Sequence, residues 1–67
     1  MILELLGVLR GNGYVADCIV RVDPDGVAYL ADEDVTPPML DGEFDLEING
    51  VHMRAVRLNC VWKAFEY

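Results

Sequence analysis

The sequence predicts an all-β fold, a small antiparallel barrel or curved sheet of five to six strands. Three observations carry this expectation. Asn49-Gly50 stands between two stretches of alternating apolar and charged residues, and Asn-Gly is the strongest short hairpin signal because both turn positions take positive φ. Two more turn signatures, Gly11-Asn12-Gly13 and Asp23-Pro24-Asp25-Gly26, cut the first half into strand-length pieces. The chain has 67 residues, 54% of them apolar, which is enough for one core and too little for two. Residues 1–67 therefore read as a single small β domain.

The first strand spans residues 2–10. Residues 2–9 are apolar at nearly every position, and such a run suits a strand or a helix equally by period. The Gly-Asn-Gly turn that follows favours a strand, with a helix as the alternative; Gly7 weakens either. Tyr14–Val22 forms the second strand, and Asp23-Pro24-Asp25-Gly26 turns it into Val27–Ala31. Proline presets φ there, aspartate starts the turn and glycine takes the left-handed position. Residues 32–42 read as the one long loop, since Pro37-Pro38 is excluded from a sheet interior and Thr36 before proline is held extended.

The Asn49-Gly50 hairpin joins Glu43–Ile48 to Val51–Val56, and a two-residue loop sets its register by counting. Ile48 faces Val51, Leu46 faces Met53 and Phe44 faces Ala55. On the other face Glu47 meets His52 and Asp45 meets Arg54. Apolar pairs share one face and charged pairs the other, as a half-buried hairpin requires. Asn59 to Tyr67 forms a last strand after a bulge or corner near Asn59, and carries Trp62, Phe65 and Tyr67. The length matches SH3-like or OB-like barrels, although neither family's functional signature is present. No internal repeat or low-complexity tract occurs.

Composition narrows the function classes. The net charge is −7, which argues against direct nucleic-acid binding through phosphates. The chain lacks serine and has a single histidine, His52, so a serine nucleophile is excluded and a zinc set would be unusual. Cys18 and Cys60 read as buried free thiols of a cytoplasmic protein, inert inside apolar strands. Asp23-Pro24-Asp25-Gly26 and Asp32-Glu33-Asp34 resemble fragments of calcium loops but lack the remaining ligands. The N-terminal apolar run has no basic residue before it and is interrupted by Glu4, so it is not expected to be a signal peptide. No run reaches the length of a membrane-spanning helix. Neither an enzyme nor a cofactor is expected.

The acids are unevenly spread. Residues 22–53 hold Asp23, Asp25, Asp32, Glu33, Asp34, Asp41, Glu43, Asp45 and Glu47 with no lysine or arginine, whereas residues 54–67 hold Arg54, Arg57 and Lys63 against Glu66. Glu43, Asp45 and Glu47 would project from one strand face at about 6.8 Å spacing, close to the separation of phosphates along a nucleic-acid strand. With Asp32, Glu33 and Asp34 they form the expected contact surface for a basic groove of a partner protein, one that normally holds nucleic acid. Solubility alone is the plainer reading of the same charge. His52 is expected to pair with Glu47 on the solvent face. Met39 and Leu40, beyond Pro38, are expected to be exposed apolar contacts. Trp62 and Phe65 are expected to anchor the core, although Phe65 shares a face with Tyr67, opposite Trp62, and one set is expected to be exposed.

Two functions are therefore expected in turn. The first is a non-enzymatic inhibitor or adaptor that docks the acidic central segment on a basic surface. In size and charge the chain resembles the small acidic proteins with which bacterial viruses disable host nucleases and defence complexes. The second is a structural or assembly subunit that self-associates through the edges of its apolar first strand and aromatic last strand. A homodimer presenting two acidic faces lies between them.

Overall fold

A computed structural model describes residues 2–66, with side chains described for residues 2–63. Six strands form: β1 (Leu3–Gly11), β2 (Tyr14–Val22), β3 (Ala28–Thr36), β4 (Gly42–Ile48), β5 (Val51–Leu58) and β6 (Val61–Glu66). They make one antiparallel sheet in the order β3-β2-β1-β4-β5-β6. Two three-stranded meanders are thus joined through their first strands, with Leu9 paired to Leu46 at the join. The sheet curls until its edge strands β3 and β6 meet, which gives a nearly closed small barrel. No helix is present among the described residues, so none there is long and apolar enough to cross a membrane.

Turn chemistry sets the register. Asn49 and Gly50 adopt φ of 50° and 81°, and the β4–β5 pairs Ile48–Val51, Leu46–Met53 and Phe44–Ala55 follow as counted from the sequence. Asn12-Gly13 repeats the device between β1 and β2. A third two-residue turn, Asn59-Cys60, stands where a bulge or corner was expected, and both residues are left-handed at φ 52° and 64°. Between β2 and β3, Asp23 organises the reversal. Its Oδ1 accepts hydrogen bonds from the backbone N–H of Asp25 and of Val27, at 3.0 and 2.9 Å.

Residues 2–9 escape a period reading because both faces of β1 carry apolar groups. Leu5, Gly7 and Leu9 face inward, while Leu6 and Val8 lie on the outer wall. The inward glycines make room for neighbouring strands. A Cβ on Gly7 would come within 3.0 Å of Leu46 Cδ1 and 3.2 Å of Cys18 Sγ, and one on Gly11 would overlap the Phe44 ring. β1 is bonded on both sides, to β2 and β4, so the expectation that it offers a free edge is corrected.

The long loop is also shorter than expected. β3 continues to Thr36, leaving only residues 37–41 as the connection, which includes a cis Thr36-Pro37 bond. The ladder with β2 is interrupted, however: Leu30 pairs with Val20 and Val35 with Cys18, so four residues of β3 oppose Ile19 alone. This bulge holds Ala31, Asp32, Glu33 and Asp34 and bends the edge strand.

Leu9, Ala16, Cys18, Val20, Leu30, Val35, Met39, Phe44, Leu46, Ile48, Ala55 and Trp62 fill the barrel. The Phe44 and Trp62 rings pack with centroids 5.5 Å apart, a separation typical of favourable aromatic pairs. Met39 is 6% exposed and belongs to this core, not to a contact loop. The chain turns back after Pro38 and drops Met39 into the barrel end while Leu40 stays exposed. Trp62 is anchored as expected; the side chains of Phe65 and Tyr67 lie outside the described residues.

Candidate functional site

The expected acidic row on β4 is present by position, and two of its three carboxylates are met by arginine. Glu43, Asp45 and Glu47 share one strand face. Arg10 of β1 donates to Glu47 at 2.7 Å. His52 Nδ1 lies 2.9 Å from Asp45 Oδ2, and Arg54 reaches Glu43 at 3.7 Å. The backbone register does set His52 opposite Glu47, but the imidazole reaches diagonally to Asp45 because Arg10 has taken the glutamate. The sequence conceals this neighbour, since Arg10 and Glu47 meet only through the β1–β4 pairing.

The acids of β3 divide. Asp34 receives both Nε and Nη2 of Arg21 at 3.1 Å each, and Arg21 also donates to Glu4. That pairing raises the Arg21 guanidinium above its ordinary value, chiefly through its hydrogen bonds to Asp34. Asp32 points across the seam of the barrel. Its Oδ1 accepts from Arg57 Nε at 2.8 Å and from Trp62 Nε1 at 2.6 Å, and its Oδ2 accepts from Arg57 Nη2 at 2.5 Å. The third nitrogen of Arg57, Nη1, donates to Asp41 at 2.7 Å. The Arg57 hydrogen bonds hold the Asp32 carboxyl below the ordinary carboxylate value, with Trp62 adding to the same effect. This cluster ties β3 to β5 and β6 where no ladder does, and it satisfies the ring N–H of a buried tryptophan.

Glu33 is exposed and has neither an ion pair nor a hydrogen bond among the described residues. Asp25 is likewise exposed with no cation beside it, and Asp17 on the outer face of β2 has none either. Of the six acids across residues 14–36 only Asp32 and Asp34 meet an arginine, whereas Glu43 and Glu47 of the three on β4 do. The acidic excess therefore sits on the β2–β3 hairpin and not on β4. Asp17 was missed from sequence because residues 1–21 balance to zero charge; strand pairing, not chain order, groups it with β3.

The two thiols also differ. Cys18 is buried, and burial pushes its pKa up to about 11, which keeps it a neutral core group. Cys60 lies at the exposed tip of the β5–β6 turn, not inside a strand as expected. Both are free. Among the described residues no group of three or more His, Cys, Asp or Glu side chains is arranged to hold a metal ion. Comparison with protein-family models, curated proteins and solved structures finds no match to this chain.

Proposed function

We propose that the chain is a non-enzymatic protein-binding module that docks an acidic surface on a basic surface of a partner protein, as an inhibitor or adaptor does. The observation that carries this reading is the uncompensated charge of the β2–β3 hairpin, where Asp25 and Glu33 are exposed without a cation beside them. Carboxylates already held by arginine contribute little to a new partner, because their field is cancelled locally. Free carboxylates steer a basic partner and discriminate against acidic ones. The contact thus centres on Asp25 and Glu33, with Asp32 and Asp34, which arginines already hold, and Glu43, Asp45 and Glu47 in a secondary place. Leu40 remains an apolar contact beside it, whereas Met39 serves the core. A reducing, cytoplasmic setting suits two unpaired thiols. A basic surface that otherwise holds nucleic acid is the partner chemistry this charge fits.

The test is titration of an arginine-rich peptide against the wild type and two charge-reversed variants. Asp25→Lys with Glu33→Lys is expected to weaken binding at least about tenfold. Asp45→Lys with Glu47→Lys is expected to weaken it less, and added salt to weaken all three. Affinity unchanged by the Asp25 and Glu33 reversal overturns the reading.

A further inference from the structure

We propose that copies of this chain associate head to tail, the outer face of β5–β6 on one copy seating against the outer groove of β1–β2 on the next. The proposal stands apart from the function above, which concerns Asp25 and Glu33 and a different protein.

Each half of the contact is an apolar block on the outside of the barrel. On β5–β6, Leu58 pairs with Val61 and Val56 with Lys63. These side chains and Asn59 line a hollow of about 500 Å³, and Leu58 and Val61 are both exposed. On β1–β2, Leu6 pairs with Ile19 and Val8 with Asp17. A shallower groove of about 230 Å³ lies there, bounded by Leu6, Ile19, Asp17, Asp34 and Thr36. Leu6 is 78% exposed, the most of any large apolar side chain among the described residues. A solvated barrel wall has no use for such groups, and contiguous apolar patches with polar rims mark contact surfaces.

Charge selects a second copy as the occupant. Lys63 has no carboxylate partner and Asp17 no cation partner among the described residues. With a net charge of −7, two copies repel unless they meet where one of them is not acidic. Residues 54–67 carry three cations, Arg54, Arg57 and Lys63, against Glu66, and the hollow lies on this stretch. Setting Lys63 of one copy against Asp17 of the next pairs unlike charges while Leu58 and Val61 cover Leu6 and Ile19. Setting like faces together would oppose lysine to lysine or aspartate to aspartate. The contact is therefore heterologous, and it closes into a ring or extends as a filament. A standard contact takes about 800 Å² from each partner; the 4545 Å² surface of this chain can supply two.

The test is light scattering on a sizing column over a range of concentrations. It compares the full chain with Lys63→Glu, Asp17→Lys, the double variant and an equimolar mixture of the two single variants. The wild type is expected to exceed the 7.5 kDa of one chain and to grow with concentration. Each single variant is expected to self-associate at least about tenfold more weakly. The double variant and the mixture are expected to recover association, because each restores an unlike pair between positions 17 and 63 of different copies. A wild type that stays monomeric overturns the proposal, as does a mixture that fails to recover. Lys63→Glu retains Asp25 and Glu33, so its binding of the arginine-rich peptide reports on the proposed function separately from self-association.

Discussion

Asp32 carries three contacts that no neighbour in sequence supplies. Arg57 grips both of its oxygens and the Trp62 ring N–H donates to one of them. Because Arg57 lowers the folded-state pKa of this carboxyl, its stabilisation is fully present above the unfolded value of about 3.9. It is lost as the pH falls through the lower folded value. Asp32→Asn keeps the shape and removes the charge. The variant is expected to melt at a lower temperature than the wild type near neutral pH, with a smaller gap at about pH 2. Thermal melts of both proteins at the two pH values check this, and an equal gap at both would count against the ion pair. Sequence reading identified Asp32 as an acidic contact and Trp62 as a core anchor. It missed that each explains the other, because they lie on edge strands that meet only when the barrel closes.

At the scale of the element, the hairpins were the most legible feature. A two-residue Asn-Gly turn leaves one register that also separates apolar from charged faces, so β4 and β5 could be paired by counting. β1 was the least legible, since outward Leu6 and Val8 fill in the alternation of inward Leu5 and Leu9. Its glycines turn out to be packing positions. Gly11→Ala would drive a methyl group into the Phe44 ring and against the Glu43 carbonyl oxygen, 2.9 Å from the added carbon. Overpacking of this kind costs about 1–3 kcal/mol, and urea denaturation is expected to show a loss in that range. A variant as stable as the parent would mean that β1 and β4 can separate at little cost. β3 was read too short because its acidic bulge resembles a loop by composition, and four residues set against one leave no alternation to detect.

Across the whole molecule, the barrel is closed unevenly. β2, β1, β4 and β5 each bond to a strand on both sides, whereas β3 and β6 meet edge to edge through side chains. Hydrogen exchange is therefore expected to be slowest around Leu9 and Leu46, both fully buried at the β1–β4 join, and fastest in the bulge over residues 31–34. Equal protection in the bulge and at Leu9 would show the seam to be as cooperative as the ladder. The same closure redistributes charge. Folding pairs Glu43 with Arg54 and Glu47 with Arg10, sets His52 within hydrogen-bond distance of Asp45, and leaves the β2–β3 hairpin acidic, with Lys63 on the opposite edge strand.

The sequence by itself determined the class of fold, the turns at Asn12-Gly13, Asp23–Gly26 and Asn49-Gly50, and the inward face of the β4–β5 hairpin. These depend on neighbours a few residues apart, through turn dihedrals and the two-residue alternation of a strand. Only the tertiary structure decided which acids lie beside a cation, that Met39 is core, and that Asp17 lies next to β3. Those outcomes depend on the β1–β4 pairing and the β3–β6 seam, which join residues far apart in the chain. A charge is cancelled by whatever lies within a few ångströms of it, and that distance is set in space and not along the chain.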